Sequence, residues 1–378
     1  MTGKENMDCF WNNKSFFNQG NETDRLNSSD HRYYIDETIL THQDWYQNAE
    51  YIIDRYVTHT ICLFGIIGNF INIIVLTRKT AFLHMGRLER SVHLGLIALA
   101  VSDLSYCLCS FPQSWKDRTA FGSPSIDFWL LYDTYGNAII NCFLLSSSWL
   151  TVAMTTSRYL VICHPVKGHQ YLSITVSGVT IILVFLLSIL FNLPRFWMRQ
   201  ITSIQCDNGE TSYFHMADFM ETNHVARMTY MWSYFILGIV LPLLVLGYCN
   251  IYLAGALCVS SKTKQHKTVT HEANRIMTLT LCLIVVLFLV LVGPAELVTF
   301  WKPFVSSNTL QYGLALRICN CLQMLNFAIN FILYFIINVQ FRKVIRDLLY
   351  CIHLREHVQP TPSQSIEEHA TRETSPML

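Results

Sequence analysis

The chain alternates long apolar stretches with short polar connections. Seven apolar stretches fill the sequence from about Val57 to Ile337. The hydrocarbon core of a bilayer is roughly 30 Å thick, and a helix needs about 20 mostly apolar residues to cross it. We therefore predict an all-α fold, a bundle of seven transmembrane helices over residues 51–338. The predicted helices are 52–77, 91–114, 131–163, 173–194, 228–257, 273–300 and 311–338.

The segments on either side of this bundle differ in character. Residues 1–50 are polar and hold no early apolar run, so we expect no cleavable signal peptide, and helix one would act as the insertion signal. Apolar and basic residues alternate at helical spacing over 339–351, which predicts an amphipathic helix on the inner membrane face. The polar residues 352–378 are typical of a disordered cytoplasmic tail.

Composition excludes a soluble protein. Hydrophobic residues make up 52% of the chain and charged residues 14%, and the mean hydropathy is +0.31. The net charge of +1 does not indicate a partner. We expect membrane lipids around the bundle and no nucleic-acid partner.

The distribution of sequons and basic residues predicts the orientation. The Asn-x-Ser/Thr sequons lie at Asn13, Asn21 and Asn27, and none occurs elsewhere, which favours a glycosylated extracellular tail. Basic residues collect on the cytoplasmic side of membrane proteins. They occupy the first and fifth connections and the segment after helix seven, at Arg78, Lys79, Arg87, Arg90, Lys262, Lys264, Lys267, Arg275, Arg342, Lys343 and Arg346. We predict a plasma-membrane protein with its N-terminus outside.

Cysteines outside the helices are candidates for modification. Cys9 and Cys206 fall in predicted extracellular segments, where a disulfide can persist. Cys351 lies on the cytoplasmic side, at the end of the predicted amphipathic helix, where cysteines can be palmitoylated.

Polar residues inside the bundle are costly and therefore mark working parts. Asp103 lies in the middle of helix two, and Arg158 lies at the inner end of helix three. The outer end of helix three is also polar, with Asn137 and Asn141 among its residues. This end is predicted to line a cavity instead of facing lipid.

Short motifs in these helices resemble those of the rhodopsin-like family of G-protein-coupled receptors. The matching residues follow the family's order and are Gly68-Asn69, Leu99-Ala-Val-Ser-Asp103-Leu, Ser157-Arg158-Tyr159, Pro165, Pro242, Phe288, Pro294 and Asn330-Phe-Ile-Leu-Tyr334. The resemblance implies a receptor, not an enzyme, that binds an extracellular ligand and activates a heterotrimeric G protein. It also implies arrestin binding through Ser and Thr residues of the tail.

Two finer motifs are similar to those of FMRFamide-type neuropeptide receptors. They are Asn192-Leu-Pro-Arg-Phe-Trp197 and the seventh-helix motif with Phe331 where most of the family has proline. This likeness implies an amidated peptide ligand. A different peptide or a small chemosensory ligand is the alternative.

The resemblance also implies an inner polar cluster and a cytoplasmic switch. Asp103, Ser147, Asn326 and Asn330 match the family's sodium pocket, and oxygen ligands of this kind suit a small cation. A neutral network bridged by water is the alternative, and no other cofactor is expected. Arg158, Tyr159 and Tyr334 match the switch. Phe288 lies on the same helix as Pro294, whose missing backbone donor permits either a hinge or a static kink.

The chain departs from the family pattern at several switch positions. Ser157 replaces the acid before Arg158, and Asn250 replaces a helix-five tyrosine. Val292 stands where most members have tryptophan. Asp133 stands where a cysteine normally bonds the long extracellular loop. Cys206 then lacks its usual partner, which leaves either a bridge to Cys9 or a free thiol.

Glu296 is the candidate ligand anchor because it lies two residues past Pro294 in the outer half of helix six, where the resemblance to the family implies a ligand cavity. The arginine of an Arg-Phe-amide ligand would suit its carboxylate. The alternatives are an internal pair with Arg317 or a protonated Glu296. Further pocket candidates are Gln113, Trp115, Asn137, Asn141, Phe300, Trp301, Asn320 and Gln323.

Other seven-helix functions fit less well. A retinal protein needs a lysine in helix seven, and none occurs between Gln311 and Gln340. A membrane hydrolase needs converging metal ligands, whereas histidines such as His59 and His93 are scattered. Transporters often carry internal repeats, and none is visible here.

Overall fold

The computed structural model of this chain describes residues 45–46, 48–78, 87–114, 125–205, 211–262, 279, 282–301 and 310–357. Several predicted features lie outside these residues: the three sequons, Cys9, Trp115, Cys206, the start of helix six at 273 and the Ser and Thr residues of the tail. The side chain of Cys351 is also outside the described part, while the cysteines described within the helices are free thiols.

The predicted all-α seven-helix bundle is confirmed. Within the described part of the chain, seven helices are long and apolar enough to cross a membrane. In chain order they are helix one Asn48–Leu76, helix two Arg90–Gln113, helix three Phe128–Cys163, helix four Ile174–Trp197, helix five His224–Ala256, helix six Cys282–Trp301 and helix seven Gln311–Ile337.

Capping residues explain why two helices begin earlier than predicted. Asp127 accepts the backbone N–H of Leu130 at 2.8 Å, so helix three begins at Phe128 instead of 131. Asn223 accepts the backbone N–H of Ala226 at 3.0 Å, so helix five begins at His224 instead of 228.

Helix five contains a π turn over Phe235–Val240, directly before Pro242. Proline lacks a backbone N–H, and its ring crowds the carbonyl four residues earlier. The wider π turn relieves this crowding, and such turns are frequent at functional sites. Two residues of this π turn, Phe235 and Ile239, line the interior cavity described below.

Helix seven, in contrast, is an unbroken α-helix over Leu310–Ile337. Phe331 keeps the backbone donor that a proline would lack. A further helix follows over Val339–His357, longer than the predicted 339–351. The side-chain oxygen of Asn338 accepts the N–H of Phe341 at 3.1 Å, and the Phe341 ring packs 5.8 Å from that of Tyr334.

The long connection between helices four and five forms a β-hairpin that the sequence did not predict. Strand β1 (Arg199–Gln205) pairs antiparallel with strand β2 (Thr211–Ala217), with Arg199 opposite Ala217. The N–H of Asp218 donates to the carbonyl of Met198 at 2.9 Å and closes the base of the hairpin.

Helices one, two, three and seven form the tightly packed side of the bundle. The side-chain amide of Asn69 donates to the carbonyls of Gly65 (3.0 Å) and Phe327 (2.8 Å), which ties helix one to helix seven. Helix four lies at the edge, since only 6% of its most apolar window is buried.

Candidate ligand-binding cavity and cytoplasmic switch

A cavity of about 400 Å³ lies inside the bundle, at the end where helix three begins. Of the predicted pocket residues in the described part of the chain, eight line it: Gln113, Asn137, Asn141, Glu296, Phe300, Arg317, Asn320 and Gln323. Trp301 does not, and its side chain is 56% exposed. Neighbouring residues of a helix point about 100° apart, so Phe300 and Trp301 face different surroundings.

Glu296 lies in the wall between helices six and seven. Its side chain is only 8% exposed, and its Oε1 accepts a hydrogen bond from Nε2 of Gln323 at 2.6 Å. This bond places the carboxylate toward helix seven while the residue still lines the cavity. Glu296 is therefore a buried acid beside an interior cavity.

The alternative internal pair between Glu296 and Arg317 is not what the structure shows. Arg317 Nε lies 3.1 Å from Glu50, and Arg317 Nη1 bonds to Asp54. Both acids belong to helix one. Arg317 thus joins helix seven to helix one, and the carboxylate of Glu296 accepts from a neutral amide instead.

Sequence reasoning missed Arg195 as a cavity residue. Proline at 194 tightens the end of helix four into a 3₁₀ turn over Leu193–Trp197, and this turn brings Arg195 into the cavity wall. Its Nε donates to Asn192 Oδ1 at 3.1 Å and to the Tyr230 hydroxyl at 3.0 Å. The only available signal was an arginine at the end of an otherwise uncharged helix.

Two aromatic rings of helix five hold the Arg195 guanidinium. Its central carbon lies 4.7 Å from the ring centre of Tyr234 and 5.5 Å from that of Tyr230. Cation–π contacts of this kind contribute about 0.5–2 kcal/mol, more when water is excluded. The tyrosines therefore fix the plane of the guanidinium in the cavity wall.

The polar outer end of helix three takes part in a hydrogen-bond network. The Tyr234 hydroxyl donates to Asn141 Oδ1 at 3.3 Å, and Asn141 Nδ2 donates to the Asn137 carbonyl at 2.7 Å. Asn192 Nδ2 approaches the Asn141 carbonyl at 3.4 Å. Helices three, four and five are thereby joined behind one wall of the cavity.

An aromatic cluster forms the wall between helices five and six. The rings of Phe300 and Phe235 stack with their centres 3.9 Å apart, and Trp232 meets Phe300 edge-on at 5.0 Å. Phe235 belongs to the π turn of helix five. The cavity therefore offers an apolar aromatic face close to its charged groups.

Two residues of the predicted inner polar cluster, Ser147 and Asn330, bond directly to Asp103. Its side chain is almost fully buried, Ser147 Oγ donates to its Oδ1 at 2.7 Å, and Asn330 Nδ2 donates to its Oδ2 at 2.6 Å. Asn326 is buried on the same helix as Asn330. A carboxylate, a hydroxyl and amide oxygens are donors that suit a small hard cation, so the residues fit the predicted sodium ion. The bonds themselves link helices two, three and seven.

Of the switch residues, Arg158, Tyr159 and Tyr334 lie toward the opposite end of the bundle, whereas Phe288 lies between them and the cavity on helix six. Arg158, Phe288 and Tyr334 are buried. The Ser157 hydroxyl donates to the carbonyl of Ala153 in its own helix at 2.8 Å. Both polar atoms of the Asn250 side chain are buried and lack a hydrogen-bond partner in the described part of the chain. The Ser157 hydroxyl thus bonds within its own helix and supplies no negative charge beside Arg158.

Tyr159 contacts helix five near these residues. Its hydroxyl lies 3.4 Å from that of Tyr248 and 3.0 Å from His164 Nε2.

In helix six, Pro294 has no backbone donor, while the N–H of Glu296 bonds to the Val292 carbonyl at 3.2 Å. Helix six thus resumes regular bonding within two residues of the proline.

Comparison with known proteins gives a family match over most of the bundle. Residues 69–334 match the family model described as 7 transmembrane receptor (rhodopsin family). Similar curated proteins include an FMRFamide receptor of Drosophila melanogaster, 22% identical over 311 residues, or 78% of this chain. The match covers 53% of that receptor, so the chain spans about half of its length.

Two vertebrate relatives are covered more fully. The human B1 bradykinin receptor is 25% identical over 305 residues, which are 76% of this chain and 80% of the relative. The mouse galanin receptor type 1 is 24% identical over 334 residues, which are 87% of this chain and 89% of the relative.

Proposed function

This chain belongs to the rhodopsin family of seven-transmembrane receptors, and from that premise we propose that it binds an extracellular peptide and activates a heterotrimeric G protein. Members of this family are signalling receptors and not enzymes. The seven helices make the chain a multi-pass membrane protein. In our proposal it resides in the plasma membrane with a glycosylated N-terminus outside and its C-terminus inside.

The observation that carries the peptide proposal is the cavity of about 400 Å³ with Glu296 in its wall. Ligand pockets commonly enclose about 300–1,000 Å³, room for the terminal residues of a peptide. A buried carboxylate is costly unless a cation or several hydrogen bonds satisfy it. The amide of Gln323 donates one hydrogen bond to the Glu296 carboxylate, and a basic group of the ligand would supply a positive charge and further hydrogen bonds.

An amidated peptide of the FMRFamide type is the ligand we propose. Its arginine would pair with Glu296 in a bidentate bond, and its phenylalanine would pack on Phe235 and Phe300. The finer sequence motifs and the FMRFamide receptor among the relatives support this choice. The bradykinin and galanin receptors among the relatives support a peptide ligand more generally.

Signalling would pass through the inner half of the bundle. We propose that Arg158, Tyr159 and Tyr334 change partners when helix six moves about Pro294, with Phe288, Asn250 and Asn330 packed against the moving parts. A sodium ion held by Asp103, Ser147 and Asn326 would favour one of the two arrangements. These roles rest on the family resemblance together with the burial and bonds given above.

Modifications complete the proposal. Glycans at Asn13, Asn21 and Asn27 and a Cys9–Cys206 bridge would lie outside the cell, while palmitate on Cys351 and arrestin binding to the tail would lie inside. Mass spectrometry of non-reduced peptides tests the bridge directly. Two free thiols at Cys9 and Cys206 would rule it out.

A matched set of peptides tests the ligand proposal. Cells expressing the chain receive peptides ending in Arg-Phe-amide, in citrulline-Phe-amide, or in Arg-Phe with a free acid, with calcium and cAMP as readouts. Citrulline keeps the shape of arginine and removes its charge. We expect potency to fall when citrulline replaces arginine in the wild type, and the two peptides to be equal in Glu296→Gln.

Two controls make the result decisive. Asp347→Asn removes an acid in the helix after helix seven, far from the cavity, and should respond like the wild type. Surface expression is measured for every variant. If Glu296→Gln reaches the surface and keeps the wild-type preference for arginine, then Glu296 is not the anchor. If no peptide of the set raises either signal, the amidated-peptide proposal is wrong.

A further inference from the structure

The wall of the cavity formed by helices four and five is basic. Arg195 and Arg227 both line the cavity, one at the end of helix four and the other in the first turns of helix five. Tyr230 connects them: it follows Arg227 by one helical turn, and its hydroxyl accepts from Arg195 Nε. Among the described lining residues, the carboxylates are Asp54 and Glu296, and neither belongs to this wall.

The two carboxylates already have other partners. Asp54 bonds to Arg317, which also pairs with Glu50, so this cluster holds two acids for one arginine. Glu296 accepts a hydrogen bond from Nε2 of Gln323. Outside the Arg317 cluster, the described cavity wall therefore holds one carboxylate, already bonded to Gln323, and two arginines.

Both arginines keep unused donors. The hydrogen bonds that Arg195 makes within the described part of the chain use only Nε, so its Nη1 and Nη2 remain available to a ligand. Arg227 Nε is buried without a hydrogen-bond partner there, and the ion pairs found in the same part do not involve Arg227. Arg227 as a whole is partly exposed, but a buried Nε–H without an acceptor is costly.

We propose that the ligand carries a carboxylate that binds to Arg195 and Arg227. The planar fork of arginine matches a carboxylate in a bidentate pair, and the rings of Tyr230 and Tyr234 already hold Arg195 in place for it. This inference rests on the proposed peptide ligand and narrows its class. The ligand would bear both a basic group, for Glu296, and an acidic group a few ångströms away.

The carboxylate has two sources in a peptide, an Asp or Glu side chain or a free C-terminus. The two arginines would bind a carboxylate from either source, and matched peptides distinguish an acidic side chain from a free C-terminus. An amidated peptide would then need an acidic side chain near its C-terminal arginine. A peptide with a free acid would meet the arginines through its terminus.

Affinity selection tests the proposal without a known agonist. The purified full-length chain in lipid nanodiscs is incubated with an equimolar library of short peptides that each contain one arginine. One third of the peptides carry an acidic side chain and an amidated C-terminus. Another third lack acidic side chains and end in a free carboxylate, and the last third lack acidic side chains and end in an amide. Retained peptides are quantified by mass spectrometry against empty nanodiscs.

We expect one of the two acidic classes to be enriched about tenfold or more over the neutral class, as one charge-assisted bidentate pair implies. Enrichment should fall toward unity in Arg195→Gln and in Arg227→Gln. Arg199→Gln is the matched control, because Arg199 is an exposed arginine of strand β1 that does not line the cavity. It should retain the wild-type enrichment.

Other outcomes overturn the proposal. The proposal is wrong if the wild type retains all three classes equally. It is also wrong if Arg195→Gln and Arg227→Gln both keep the wild-type enrichment. If Arg195→Gln does not fold, Arg227→Gln still decides, since its guanidinium has no ion pair to lose in the described part of the chain. Retention that depends on Glu296 but not on acidic groups would leave the proposed peptide function standing. Retention of no peptide would contradict both.

Discussion

Phe331 of helix seven packs directly against Gly68 of helix one. A Cβ atom added at Gly68 would lie 2.9 Å from Cβ of Phe331, closer than two carbon atoms approach without displacement. The position that most family members fill with proline holds phenylalanine here, and its Cβ and first ring carbon lie against a glycine of the facing helix. The pair links a sequence departure in helix seven to the packing of helix one.

We expect Gly68→Ala to lower the thermal stability of the purified chain. The added methyl must displace Phe331 or separate helices one and seven, and overpacking of this kind costs about 1–3 kcal/mol. Gly178→Ala in helix four is the matched control, because no atom lies within 4 Å of its added Cβ. Combining Gly68→Ala with Phe331→Gly, which removes the contacting Cβ atom, should lose less than the sum of the two single changes. Strict additivity would show that the contact does not matter.

A second expectation concerns the unbroken backbone of helix seven. Phe331→Pro removes one helical hydrogen bond to the Phe327 carbonyl, and proline in a helix interior costs about 3 kcal/mol or more. Asn69 already donates to that same carbonyl at 2.8 Å, so the carbonyl would keep one partner. We expect the cost of Phe331→Pro in thermal unfolding to be larger in an Asn69→Ala background than alone. An equal loss of thermal stability in the two backgrounds would show that the Asn69 hydrogen bond does not compensate for the proline.

The fold could be predicted because it depends on local patterns, and helix length and polarity were sufficient for the seven spans. The candidate cavity residues, Glu296 among them, followed instead from the resemblance to the receptor family. Arg195 could not be predicted as a cavity residue, because a 3₁₀ turn at the end of helix four determines its direction. The hairpin of strands β1 and β2 depends on pairing between segments whose sequences carry no strong strand signal.

Sodium ions should stabilise the chain through Asp103. If a cation binds beside Asp103, Ser147 and Asn326, raising NaCl should raise the melting temperature, while equal choline chloride should not. Binding to the folded state alone stabilises by up to about 3 kcal/mol at concentrations near 100 times Kd. Asp103→Asn should abolish the sodium effect, and Ser147→Ala should weaken it.

Ser146→Ala provides the control for Ser147→Ala. The Ser146 hydroxyl is buried in the same helix but donates to the Cys142 carbonyl at 2.8 Å, and not to Asp103. It should leave the difference between sodium and choline unchanged. Equal melting temperatures of the unmodified chain in the two salts would mean that Asp103 holds only its hydrogen-bonded neighbours.

Ligand-free signalling should depend on Ser157. The resemblance to the family predicts an acid at this position, and the Ser157 hydroxyl instead bonds to Ala153 in its own helix. A charge-assisted pair with Arg158 would contribute on the order of 1–3 kcal/mol to the resting state, enough to change the active fraction several-fold. We therefore expect Ser157→Asp to lower nucleotide exchange on a G protein in membranes without ligand. Ser157→Ala removes only the bond to the helix and should leave that basal rate unchanged. Basal exchange of zero in the unmodified chain, at normal surface expression, would contradict this expectation.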